Sequence, residues 1–306
     1  MSVLVTGATG FIGRRLLQPG ERALVRRAGS LPDAVVGDLL EPTSLAAACA
    51  GIETVFHCAG YADALSSSDA AAHWRVNLAG TRNLLAAAGA AGGRRFVVLS
   101  SVKAMAEPGD ECVDEDWPGE PATAYGRAKR AAEEAVLEAG AKYGMHVVNL
   151  RLAMVYGRGG GGNLTRMARA IRAGWMPALP ETGNKRSLVH VQDVVEVVRL
   201  VAARPEANGR TYIIADTRAY SGREIQDAIR AALSPGAVPP APTFTVPAGL
   251  LRAAGRLNGR LGEVVSRLMG SACYSPARIE RELGWRARIR LTEGLREMLS
   301  ITGGDR

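Results

Sequence analysis

The sequence predicts a doubly wound α/β fold: a parallel sheet with helices on both faces, followed by a smaller C-terminal substrate-binding region. Three observations lead there. Short continuous apolar runs alternate with Ala-rich helical stretches through the first half of the chain. Such runs suit strands buried on both faces, and the alternation implies right-handed parallel crossovers. A glycine-rich turn, Thr6-Gly7-Ala8-Thr9-Gly10-Phe11-Ile12-Gly13, follows the first run. A later helix opens on Tyr125-Gly126-Arg127-Ala128-Lys129.

Taken in order, the strands are expected at 3–5, 23–25, 34–36, 55–56, 96–99 and 147–150, with one further strand at 210–215. Helices are expected over 11–18, 44–50, 73–88 and 125–139; in the third, Asn77, Leu78, Thr81, Leu84 and Leu85 fall at helical spacing. After Tyr156 the texture changes. Gly157-Arg158-Gly159-Gly160-Gly161-Gly162 reads as a joint, a helix is expected over 164–173, and the Pro-rich stretch 235–247 reads as an extended linker. Helical pieces are expected at 248–257, 263–268, 276–283 and 292–299. The division that follows is a dinucleotide-binding domain over 1–160, to which 188–215 returns, and a mainly substrate-binding domain over 161–306.

Composition narrows the function classes. With 306 residues, 47% hydrophobic and 22% charged, the chain can bury a sizeable core and is not a disordered one. The net charge is +8, yet only four of the 38 basic residues are Lys (Lys103, Lys129, Lys142 and Lys185), so a Lys within a motif carries extra weight. Scattered Arg and 5% aromatics argue against a nucleic-acid partner. No apolar run approaches the roughly 18 residues of a membrane span, and Val3-Leu4-Val5 reads as a strand rather than a leader. Cys49, Cys58, Cys112 and Cys273 lie far apart with no CxxC pair. That spacing predicts neither a disulfide framework nor a zinc site, no other metal site is expected, and a reduced cytoplasmic setting follows.

The glycine turn is built for phosphates. Gly7 permits the tight turn, Gly10 lets the backbone approach a pyrophosphate, and Gly13 lets the helix pack closely. Free N–H groups and the helix dipole at the helix start attract anions. The end of the second strand then discriminates between cofactors. Arg26 stands 19 residues after Gly7, where an NAD enzyme usually places an acid for the ribose hydroxyls. An Arg there pairs with a 2′-phosphate and favours NADP over NAD, which stays possible. Asp38, in Gly37-Asp38-Leu39 after the third strand, is placed to reach the adenine amino group, or else caps a turn.

Tyr125 and Lys129 stand at i and i+4, on one helix face. A phenol is a poor acid–base catalyst at its free pKa of about 10, and a neighbouring ammonium is expected to bring it toward neutrality. The pair lies downstream of a strand ending Leu99-Ser100-Ser101.

Together these residues resemble the extended short-chain dehydrogenase/reductase family, the NAD(P)-dependent epimerase/dehydratase group that mostly acts on nucleotide sugars, over nearly the whole chain. The resemblance implies that Thr6 to Gly13, including Thr9, Phe11 and Ile12, form the cofactor loop and that His57-Cys58-Ala59-Gly60 lies beside the nicotinamide ribose. Asn77-Leu78-Ala79-Gly80-Thr81 resembles the family's helix motif, with a structural Asn. Ser101 matches the catalytic Ser or Thr, and Tyr125 and Lys129 match the catalytic pair, which also touches the cofactor. The strand from Arg151 to Gly157 resembles the one that reaches the nicotinamide, and 186–193 resembles the segment lining the nucleotide pocket. The segment 278–285 resembles the family's closing helix. Arg186 is the expected diphosphate clamp. Asn163 is expected either to bond a phosphate or uracil group or to act as an N-cap. His190 is expected to be structural.

Three features depart from the family pattern. Leu152 stands where many members have Pro, Met154 replaces an Asn that often touches substrate, and Val102-Lys103-Ala104-Met105-Ala106 lacks the usual Val-Tyr-Gly. The sugar end of the pocket is therefore expected to be unusually apolar. The expected activity is hydride transfer at a nucleotide-sugar keto or hydroxyl carbon, as a reductase using NADPH or as an epimerase retaining NAD. The alternative is a reductase of a hydrophobic alcohol or ketone, as in steroid or flavonoid reductases, although Arg186 would then lack its anionic partner. A redox-sensing regulator would commonly have lost the Tyr or the Lys. Members of the group often dimerise through helices corresponding to 73–88 and 125–139, so a homodimer is expected.

Overall fold

A computed structural model describes residues 2–29, 31, 34–61, 69–234, 247, 249 and 270–300. The chain begins β1 (Val3–Thr6), α1 (Gly13–Leu16), β2 (Arg22–Val25), β3 (Val35–Val36), α2 (Pro42–Cys49) and β4 (Thr54–His57). It continues α3 (Ala70–His73), a π-helical stretch Trp74–Ala79, α4 (Gly80–Ala90), β5 (Arg95–Ser101), β6 (Cys112–Val113), α5 (Ala124–Tyr143) and β7 (His146–Leu152). Then follow β8 (Met154–Tyr156), α6 (Asn163–Arg172), β9 (Leu188–His190), α7 (Val191–Ala203), β10 (Arg210–Ile214), α8 (Gly222–Leu233), β11 (Cys273–Tyr274), α9 (Ala277–Leu283) and α10 (Leu291–Leu299).

Seven of the strands form one sheet in the order β10-β7-β5-β4-β1-β2-β3, every neighbouring pair parallel. Because side chains alternate along a strand, each strand serves two cores. Leu4 of β1 and Phe96 and Val98 of β5 pack with Leu84 and Leu85 of α4 and Val136 of α5. Val5 and Val97 face the other way, against Val194, Val197, Val198 and Val201 of α7. The strand order reverses between β1 and β4, and a crevice opens at the carboxyl ends of strands at such a point. The glycine loop after β1 and the residues after β4 therefore meet at one place.

Several elements differ from the sequence expectation. The first helix is only Gly13–Leu16, because Leu17 is already extended (φ −63°, ψ 124°) two residues before Pro19. The single helix expected over 73–88 is three pieces, with a π-helical stretch that carries Asn77; such wide turns recur at functional sites. Helices α7 and α8 were not anticipated, although Ser221 and Glu224 close a reciprocal capping box at the start of α8. Of the linker expected over 235–247 and the pieces at 248–257 and 263–268, nearly everything lies outside the described residues.

The cysteines require a correction. Cys112 and Cys273 form a disulfide, with Cα atoms 4.5 Å apart although the two stand 161 positions apart in sequence. Spacing along the chain suggested no disulfide, but β6 and β11 pair in parallel with these two residues opposite each other. That proximity is a product of the fold, which sequence distance does not report. Cys49 and Cys58 are free.

One buried acid sets a pH dependence. Asp216, just beyond β10, is 5% exposed. Burial pushes its pKa up to about 7, with Asp193 adding and the Tyr220 hydroxyl opposing. The folded state thus prefers the neutral acid. Its stability is undiminished below the ordinary carboxyl value of about 4 and falls as pH rises toward 7. Asp216→Asn is expected to remove this dependence, so its melting-temperature advantage over the parent should widen between pH 5 and pH 8. An advantage that stays constant across that interval would refute the assignment.

Candidate active site

The geometry of the candidate site begins with α5. Thr123 caps it, accepting from Gly126 N at 3.0 Å, which fixes the first turn on which Tyr125 sits. Gly126 is there because the turn presses on the segment after β5. A Cβ at this position would lie 2.1 Å from the Lys103 carbonyl oxygen. That contact brings Tyr125 alongside Ser101 at the end of β5, near enough for the Ser101 hydroxyl to act on the phenol pKa.

One turn on, Lys129 is buried, and its ammonium donates to the Leu99 carbonyl at 2.9 Å. Two turns on, Glu133 is 3% exposed and takes Arg151 of β7 through both carboxylate oxygens, at 2.8 to 3.1 Å, as well as the Ser100 hydroxyl. Positions i, i+4 and i+8 of one helix face thus hold the phenol, the ammonium and a buried ion pair that ties α5 to β5 and β7. Breaking one partner of such a pair costs about 3–5 kcal/mol. The sequence reading missed Glu133, which has no motif of its own.

The electrostatics differ from the expectation for Tyr125. Partial burial raises the phenol pKa and the Ser101 hydroxyl lowers it, with a net rise. Burial brings the Lys129 ammonium down to about 8 against the pull of Glu133 and Cys58. The Lys129 ammonium donates to Leu99 O rather than to the phenol, whose net shift is upward. At neutral pH the Tyr125 phenol is protonated.

His73 was not anticipated in this site. It is 5% exposed, and its ring lies edge-on to Tyr125 at 5.4 Å and against Tyr61 at 5.0 Å. Asn77 braces Tyr61 by accepting from its N–H at 2.8 Å and donating to its carbonyl at 2.9 Å. The one available signal was the placement of His73 four residues before Asn77.

The crevice at the switch point has a volume of about 370 Å³ and is lined by Thr6, Gly7, Thr9, Gly10, Val25, Arg26, Asp38, Leu39, Cys58, Ala59, Gly60 and Tyr61, among others. Gly7 takes φ +66°, and a Cβ there would meet Ala59 N at 2.7 Å, so the loops after β1 and β4 touch. Arg26 and Arg27 border an adjoining opening with Thr9 and Asp38. Phe11, Ile12 and Gly13 do not line the crevice: the Phe11 ring lies under the Arg15 guanidinium at 4.7 Å, and Ile12 packs into the core. Asp38 uses one carboxylate oxygen for the turn, accepting from Leu40 N at 2.9 Å.

Burial pushes the Cys58 thiol up to about 12, so it lines the site as an inert apolar group. His57, bonded to Thr6 at 2.7 Å and Thr81 at 2.9 Å, is held down to about 3 by burial and by Lys129, and it stays neutral. These residues fit a dinucleotide: a glycine cradle, a basic rim and a lysine beside the β4 loop, since a Cβ at Gly60 would be 3.5 Å from Lys129 Nζ.

A second cavity of about 360 Å³ is mostly apolar, with Met154, Met167, Trp175, Met176 and Ile225 in its walls and Asn163 and Arg186 among its polar residues. Gly162, not Asn163, is the N-cap of α6, which leaves the Asn163 side chain out of the capping role. Arg186 donates to Gly270 O at 2.9 Å. Of the segment 186–193 only Arg186 borders this cavity; Leu188, Val189 and Val191 are fully buried. His190 caps α7, its Nδ1 accepting from Gln192 N at 3.4 Å, and its Nε2 lies 2.9 Å from a Glu297 carboxylate oxygen. Among the described residues there is no cluster able to hold a metal ion and no helix long and apolar enough to cross a membrane.

The model of the NAD dependent epimerase/dehydratase family matches residues 3–215. The chain is 29% identical to a UDP-glucose 4-epimerase of Vibrio cholerae, over 97% of this chain and 94% of that protein. It is 27% identical to a 2-alkyl-3-oxoalkanoate reductase of Stenotrophomonas maltophilia, over 97% and 98%. Among solved structures, MoeE5 in complex with UDP-glucose and NAD superimposes with a TM-score of 0.74 at 28% identity, covering 97% of each chain.

Proposed function

The chain belongs to the NAD dependent epimerase/dehydratase family, and we propose that it reduces or epimerises a nucleotide sugar at a keto or hydroxyl carbon, with NADP(H) as the preferred cofactor. The observation that supports this reading is the Lys129 ammonium, one turn of α5 from Tyr125, beside Gly60 of the crevice that Arg26 also lines, since a Cβ at Gly60 would be 3.5 Å from Lys129 Nζ. A bound nicotinamide would supply or accept the hydride.

The chain's own residues do the rest. Tyr125 donates the proton to the carbonyl oxygen in the reductive direction, for which its neutral form is suited. Ser101 hydrogen-bonds the same oxygen and orients it. Lys129 holds the nicotinamide ribose hydroxyls. Arg26 pairs with the 2′-phosphate through its forked donors. Arg186 faces the diphosphate of the substrate, and Asn163 bonds its nucleotide end. The reductive reading is supported by the raised Tyr125 pKa and by Arg26. The apolar walls around Met154 and Met176 support a second reading, reduction of a hydrophobic ketone; the reductase relative has that kind of substrate in its name. A dimer would use α4 and α5, the latter exposing Leu137, and a cytoplasmic setting suits such cofactors.

Thermal shift separates the two substrate readings, because a ligand that binds only the folded state raises its melting temperature. NADPH and UDP-sugars are each expected to stabilise the protein. Stabilisation by NADH alone would overturn the NADP assignment, and indifference to UDP and every UDP-sugar would move the substrate to the hydrophobic class.

A further inference from the structure

The disulfide found above sits beside the residue assigned to the substrate diphosphate. Cys112 is exposed on β6, and Cys273 is buried on β11. The segment carrying Cys273 holds Arg186 from three sides. Gly270 O accepts from Arg186 Nη1 at 2.9 Å. Ala272 N donates to Lys185 O at 2.7 Å, and Ala272 O accepts from Ser187 N at 3.0 Å. Tyr274 N donates to Ser187 Oγ at 2.8 Å. On its far side the same segment is held by the two-residue pairing of β6 with β11, the bond from Ser275 N to Val113 O at 2.8 Å, the bond from Ser271 Oγ to Asp110 at 3.0 Å, the packing of Tyr274 with Met105 and Val113, and the disulfide, the one covalent tie among them.

We propose that the Cys112–Cys273 pair is a reversible thiol–disulfide site that sets the position of Arg186, so that a dithiol reductant loosens the diphosphate end of the substrate pocket while sparing the cofactor crevice. The pocket's use for a diphosphate rests on the function proposed above; the redox site does not. A thiolate of the reductant attacks the exposed Cys112 Sγ, forming a mixed disulfide and releasing Cys273 as a thiolate that takes up a proton. The second thiol of the reductant then displaces Cys112. One S–S bond has been reduced by two electrons, one has formed on the reductant, and two protons have passed to the cysteines. The bridge joins a residue exposed on β6 to a buried one on β11, so a reductant can reach it from the Cys112 side.

The test compares the whole protein prepared in air with the same protein in dithiothreitol, together with Cys112→Ser. Differential alkylation is expected to count two new thiols on reduction. Amide exchange at Ala272 and Tyr274 should quicken about tenfold, UDP affinity should fall about tenfold, and NADPH affinity should hold, a coupling of ordinary size between two sites. Cys112→Ser should behave as the reduced parent and ignore dithiothreitol. If exchange responds but UDP binds in neither state, the redox site stands and the nucleotide reading falls. Free thiols at both positions in the air-prepared protein would overturn the proposal. So would unchanged exchange in protein shown to be reduced, or an equal loss of NADPH and UDP binding, which would make the bridge a general staple.

Discussion

Tyr125→Phe is expected to lower turnover by about 10³-fold, the usual scale for a positioned general acid, while NADPH binding stays within about twofold of the parent. The substitution removes one oxygen from a half-buried ring whose aromatic contact with His73 is kept. It touches neither the glycine loop nor Arg26. The Ser101 hydroxyl keeps its bond from Lys103 N. Single-turnover kinetics with a saturating reduced cofactor read the chemical step directly. A Phe variant that turned over at the parental rate would remove Tyr125 from the mechanism, and one that no longer bound NADPH would make its role structural.

Arg26→Glu is expected to weaken NADPH by about 10- to 100-fold, the size of a lost hydrogen bond between charged groups, while NADH binds at least as well as before. Arg26 and Arg27 lie at the edge of the crevice, and Arg26 is exposed, so the exchange leaves the sheet intact. A carboxylate at that place repels a 2′-phosphate and accepts from free ribose hydroxyls. Titration of both cofactors by fluorescence measures the ratio. If it does not move, the 2′-phosphate is held elsewhere or the parent has no preference.

Much of this architecture was legible because it is local. Continuous apolar runs at 3–5 and 96–99 are strands since both faces of a parallel sheet are dry, and Tyr125 and Lys129 share a face wherever a helix forms. What escaped is what the fold brings together over distance. Cys112 and Cys273 become opposed only through the pairing of β6 with β11. Glu133 looked like any helix-surface acid until Arg151 and Ser100 closed on it. The expected influence of Lys129 on the phenol followed from charge alone, and burial, which a sequence pattern does not express, reversed the balance. Helix α8 was missed for a different reason, since its capping box was present in the sequence and went unused.

The alignment of Tyr125, Lys129 and Glu133 along α5 makes that helix a ruler. Eight residues at a rise of 1.5 Å each set about 12 Å between the phenol and the ion pair. Arg151 marks zero at one end, and the crowded contact between Gly126 and Lys103 O sets the other. A helix gauged at both ends resists sliding and rotation. On the function proposed above, the reacting oxygen then comes to a phenol of fixed position, and adjustment to substrates of different shape falls to the cavity around Met154, Met176 and Arg186.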